Sequence, residues 1–130
     1  MTPAEIDAVL ELWREVEGTQ TGGFLVERIG PCPVLLFPIG LPVDQAYDAL
    51  CGHLRRWLEA RPGIVAVTED SIPAHSVPER RYGAGYIRPG ASMVMHHDST
   101  RLLALIAAVL AVTGTTGKTQ TQGGQDGGPA

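Results

Sequence analysis

Hydrophobic residues recur at helical spacing in the first stretch of the chain. Ile6, Val9, Leu10, Trp13 and Val16 stand three or four apart, while Asp7, Glu11, Arg14, Glu15 and Glu17 fall mostly on the other side. One apolar stripe and one wet face predict an amphipathic helix. Thr2-Pro3-Ala4-Glu5 marks its start: a threonine cap with glutamate three residues later forms a capping box, and proline suits the first helical position. Gly18 is the expected stop.

The period then shortens. Gly23 to Ile29 and Val34 to Ile39 are short runs rich in β-branched and aromatic residues around Gly30-Pro31-Cys32-Pro33, a pattern that predicts a hairpin with a proline-stiffened turn. Pro42-Val43-Asp44 opens a second helix, whose stripe of Val43, Ala46, Tyr47, Leu50, Leu54, Trp57 and Leu58 runs until Arg61-Pro62-Gly63. Ile64 to Thr68 reads as a third strand, and Ser71 to Arg81 as a loop without periodicity. Tyr82 to Arg88 and Ala91 to Met95 read as a second hairpin around Pro89-Gly90, although glycines 83 and 85 weaken its first strand.

His97-Asp98-Ser99-Thr100 supplies capping side chains, with Asp98 the expected N-cap of the last helix. From Leu102 to Val112 that helix has no polar side chain. Its length is about 16 Å, whereas a bilayer core needs ~20 residues, so a membrane span is not expected. A helix apolar on all sides must be covered all round, by its own domain or by a second subunit. Small domains have little covering surface to spare, which makes Leu102, Leu103, Leu105, Ile106, Val109 and Leu110 candidate interface residues.

The pattern as a whole predicts a single α+β domain over residues 1–113. Its order is helix-hairpin-helix-strand-hairpin-helix, with the helices mainly on one face of an antiparallel or mixed sheet. Residues 114–130 are rich in Gly, Thr and Gln, contain no bulky apolar side chain, and are expected to be disordered.

Composition changes this picture little. At 130 residues and 44% hydrophobic content the chain has enough apolar side chains for one core. A net charge of -4 argues against the broad positive footprint of a duplex nucleic-acid binder. The two cysteines, Cys32 and Cys51, form no CxxC pair, and the first residues are acidic and amphipathic, so a soluble protein of a reducing cytoplasm is expected. Arginine outnumbers lysine nine to one, Lys118 being the lysine, and asparagine is absent. This bias matches GC-rich codons and suggests a high-GC bacterium or its phage.

Arg80-Arg81-Tyr82-Gly83-Ala84-Gly85 resembles the Arg/Gln-x-x-Gly-x-Gly/Ala loop of GNAT-type N-acetyltransferases. The resemblance implies a loop whose glycines let backbone N–H groups approach the pyrophosphate of acetyl-CoA, ahead of a helix N-terminus. Ala8 to Trp13 also looks like the opening helix of that family. The likeness covers two short pieces; Pro89-Gly90 stands where the phosphate-capping helix would run, and no strand precedes the first helix. A glycine-bearing strand or turn beside solvated arginines is the plainer expectation. An anion held there would be met by Arg80, Arg81 and Arg88.

His75, His96, His97 and Asp98 are the candidate metal ligands, since imidazole with carboxylate satisfies zinc or divalent iron. Adjacent histidines in a strand point to opposite faces, however, so His96 and His97 do not easily share an ion. Cys51 and His53 lie about 200° apart round the second helix, which predicts a buried thiol and a wet imidazole, not a nucleophile and its base. No serine stands in a nucleophile elbow, and no cofactor is implied.

The function these readings favour is a non-enzymatic interaction or assembly protein, forming a homo-oligomer or binding a protein partner through the apolar last helix. The alternative is a small enzyme or anion/nucleotide-binding domain using the 71–90 loop with His96, His97 and Asp98.

Overall fold

A computed structural model describes residues 1–71 and 77–114. The expected disorder of the tail beyond Gly114, and the site expected at His75, lie outside the described residues.

Helix α1 spans Pro3–Glu15 and is capped as its sequence predicts: the Thr2 side chain accepts the Glu5 N–H at 3.2 Å, and Glu5 Oε1 accepts the Thr2 N–H at 2.9 Å. It stops at Val16, whose extended backbone leaves the helix two residues before Gly18. Strands β1 (Leu25–Ile29) and β2 (Cys32–Leu36) form an antiparallel hairpin. Ile29 pairs with Cys32, so the turn is only Gly30-Pro31, and Pro33 sits inside β2. The expected longer turn is corrected for a physical reason: an edge strand tolerates proline because its missing N–H can face away from the partner.

Helix α2 spans Val43–Glu59 and buries Ala46, Leu50, Cys51, Leu54, Trp57 and Leu58. Val43, expected in the stripe, is exposed at the first turn. Strand β3 (Ala66–Ser71) pairs antiparallel with β4 (Tyr82–Ile87), and β4 with β5 (Val94–Asp98), giving a sheet of order β3-β4-β5. β5 starts three residues later than its sequence predicts, because the turn at Pro89-Gly90 is closed by the Ala91 N–H donating to the Arg88 carbonyl and the ladder begins only where Val94 meets Tyr86. A short 3-10 turn, Pro78–Arg80, precedes β4.

Helix α3 spans Arg101–Thr113 and is capped by Thr100, whose hydroxyl accepts the Leu103 N–H at 3.2 Å; Gly114 ends it in the left-handed conformation. α3 packs on β4 and β5 and meets α1 and α2 with its remaining surface. Leu102, Leu105 and Val109 are fully buried and Ile106 nearly so. The cover that an all-apolar helix requires therefore comes from this chain's own sheet and two amphipathic helices, and these four side chains present nothing to a second subunit. Leu103 and Leu110 stay half-buried. The domain is thus a small α+β fold with helices packed against a three-stranded antiparallel sheet and a separate β1–β2 hairpin leaning on α1.

Trp57 lies in the core with the Arg61 guanidinium 4.1 Å above its ring, whereas Trp13, although on an apolar stripe, is only half-buried.

Candidate functional site

Strand alternation divides the sheet into two faces. Val67, Glu69, Ala84, Tyr86 and His96 point toward the helices, while Thr68, Asp70, Gly83, Gly85, Met95 and His97 line the outer face. β5 therefore separates the two adjacent histidines, and they meet no common ligand. His96 stacks on Tyr86 with ring centroids 6.1 Å apart, and its Nε2 is buried without a hydrogen-bond partner. Burial, and then the neighbouring His97, pull its pKa below the ordinary imidazole value.

Asp98 is the last residue of β5 and its Oδ1 accepts the Ser99 N–H at 2.7 Å. The capping role expected of it belongs to Thr100, because the strand runs on through Asp98 and the chain turns one residue later. Among the described residues no three His, Cys, Asp or Glu side chains converge where they could hold a metal ion.

The arginines diverge as well. Arg80 and Arg88 are exposed, Arg81 is half-buried with its Nε unpartnered, and Arg88 reaches over the Tyr86 ring at 5.6 Å. Arg81 and Arg88 stand at opposite ends of β4, about 20 Å apart along an extended chain, too far to grip one small anion together. Gly83 and Gly85 lie inside the central strand, paired on both sides, and not in a loop with free N–H groups. The phosphate-cradling arrangement that the acetyltransferase resemblance implies is not formed. The reason is tertiary: β3 and β5 recruit this segment into a ladder.

Two polar networks whose long-range members sequence reasoning missed hold the helices, the first to the sheet and the second to one another. Glu69 on β3 accepts from Arg101 Nε at 2.7 Å and Arg55 Nη1 at 2.9 Å, and Arg55 also donates to the Val67 carbonyl at 3.1 Å. Burial raises the Glu69 pKa, but the two guanidinium groups outweigh that and hold it below the usual carboxylate value. The second network joins Glu5, Thr2 and Tyr47. Burial and the Glu5 carboxylate push the Tyr47 phenol well above its ordinary range. Cys51 is buried as expected, and burial pushes its thiol up to about 12, which leaves it inert. His53, expected to be wet, is half-buried and stands 3.2 Å from the Gly18 carbonyl, tying α2 to the turn after α1.

The other feature missed is on the hairpin. Leu25, Ile29 and Leu36 are exposed on one face of the β1–β2 ribbon, next to Cys32. Its signal was present, since these residues repeat at even spacing, but the alternation does not say which face meets the core.

What the fold defines is a small α+β domain without a converged catalytic constellation among the described residues. No family model, curated protein or solved structure matches the chain.

Proposed function

We propose that the protein is a non-enzymatic interaction protein that assembles with a second copy of itself through the β1–β2 hairpin. One observation carries this reading: Leu25 and Leu36 face each other across the ribbon at 47% and 44% exposure, and on the same face Ile29 is 67% exposed. Ile39, just past β2, is fully exposed. Contiguous exposed apolar surface marks interaction sites, and a two-stranded hairpin is marginal until something covers it. Among the described residues β1 and β2 pair only with each other, so each retains an edge at which a further strand can add. A second copy presents the same apolar face, which suits a two-fold, isologous contact.

In this reading the assembly surface is the hairpin and not α3. A cytoplasmic setting is part of the proposal, supported by the unpaired state of both cysteines, one exposed and one buried. The arginine-rich, asparagine-free composition supports origin in a high-GC bacterium or its phage.

Light scattering coupled to size exclusion tests the proposal on the full chain. The expected result is a dimer mass for the native protein and a monomer mass for an I29E/L36E variant with unchanged circular dichroism. A strictly monomeric native chain at high concentration would overturn it.

A further inference from the structure

The two outer edges of the β1–β2 ribbon are not equivalent. Gly30, at φ 63°, and Pro31 form a two-residue turn, so Ile29 and Cys32 are a hydrogen-bonded pair and the ladder alternates from there. Glu27 with Val34 and Leu25 with Leu36 bond across the ribbon in the same way. The backbone groups of Val26 and Arg28 on β1, and of Pro33 and Leu35 on β2, are therefore turned to the outer edges. Pro33 has no N–H, so β2 offers one outward donor where β1 offers two. Proline on an edge strand hinders the addition of another strand, and α1 also packs more on β2 than on β1. β1 is the open edge.

What β1 presents is complementary to itself. Leu25 and Ile29 are exposed on one face, two residues to either side of Glu27. Antiparallel pairing of β1 with β1 of a second copy, about a two-fold axis at Glu27, sets Val26 opposite Arg28 of that copy, the positions whose backbone groups point outward. The same register puts Leu25 opposite Ile29 of the second copy as a non-hydrogen-bonded pair, in which side chains approach most closely. Sliding the strands by two residues either way would set Leu25 or Ile29 against Glu27 instead. The one cost of the symmetric register is Glu27 opposite its own copy.

We infer that the second copy adds through β1, giving a four-stranded sheet of order β2-β1-β1-β2 with Leu25 packed on Ile29 across the axis. This rests on the self-assembly proposed above and specifies its geometry.

Val26 and Leu35 pair across the ribbon, so proline at either one removes an outward N–H at the same height on opposite edges. Light scattering coupled to size exclusion of the full chain is expected to report a dimer for the native protein and for L35P, and a monomer for V26P. Circular dichroism and thermal melts check that both variants fold. An E27C/C32S chain gives a readout that needs no proline, and it lacks the exposed Cys32 thiol. Position 27 would stand about 4.5 Å from its copy between Cα atoms, within the roughly 4.4–6.8 Å that a disulfide spans, so mild oxidation should yield a covalent dimer. V26C/C32S, whose introduced thiols stand a diagonal step apart, should stay uncrosslinked. If V26P does not fold, the crosslinking pair decides. A native dimer that V26P leaves intact, that L35P breaks equally, or that fails to crosslink as E27C/C32S overturns the β1 pairing and leaves self-assembly standing. A monomeric native chain overturns both.

Discussion

The Tyr47 hydroxyl donates to Glu5 Oε2 at 2.7 Å and accepts the Leu102 N–H at 3.1 Å, so one phenol joins the start of α1 to the first turn of α3 from its place on α2. The Leu102 N–H is one of the donors that the first turn of a helix leaves without an intrahelical partner. Y47F removes both bonds while keeping the ring. It should cost about 1–3 kcal/mol, the penalty for leaving a shielded polar group unmade. Urea denaturation checks this, and a Y47F midpoint equal to that of the native chain would show that the bridge contributes nothing.

Leu105 has no exposed surface and lies on α3, the helix that packs on the sheet and on both other helices. L105A should destabilise by about 2–5 kcal/mol through lost burial and a residual cavity, whereas L110A, at a half-buried position, should cost distinctly less. If α3 were instead covered by a second subunit, the loss at Leu105 would depend on protein concentration. Melting L105A at two widely separated concentrations distinguishes the cases, and a concentration-independent shift is expected.

The two glycines of β4 should differ in their tolerance of alanine. A methyl group on Gly83 would meet the ends of Asp70, Met95 and His97, side chains that can swing aside, while on Gly85 it would also meet the Val94 carbonyl oxygen, part of the paired β5 backbone. G85A should therefore cost about 1–3 kcal/mol by overpacking, and G83A less. Thermal melts of the two variants give the order directly.

His96 makes stability depend on pH in a definite direction. Its folded pKa lies below the ordinary 6.5, so between these two values the unfolded chain binds a proton that the folded chain does not. Stability from this group is intact at neutral pH and declines as pH falls through 6.5 toward the folded value. H96F keeps an aromatic ring on Tyr86 and removes the proton site. Its denaturation midpoint should fall less than that of the native chain between pH 7 and 5, and parallel profiles would contradict the account.

Glu69 contributes with the opposite dependence on charge. Its pKa is held below the carboxylate value by Arg101 and Arg55, so the ion pairs stabilise at neutral pH and are lost as acid protonates the carboxyl. E69Q should lower stability near pH 7 and narrow its gap from the native chain below pH 4.5, where the native glutamate also becomes neutral.

The helices and their caps were legible in the sequence because they arise from neighbours a few residues apart. The Thr2–Glu5 capping box, the buried stripe of α2 and the all-apolar α3 each need only local spacing to be read. Strand limits were less legible. β5 begins at Val94, not Ala91, because its start is set by where β4 can pair with it.

The requirement that α3 be covered came from its own residues, but the identity of the cover did not. That was decided by the docking of α1, α2 and the β3-β4-β5 sheet around Leu102, Leu105 and Val109, contacts that span most of the chain. The same holds for the candidate chemistry. Alternation placed His96 and His97 on opposite faces from sequence alone. Only the antiparallel pairing of three strands brought Asp70 and His97, 27 positions apart by their numbering, over the single glycine between them. Local spacing determines which way a side chain points, and long-range pairing determines what it meets there.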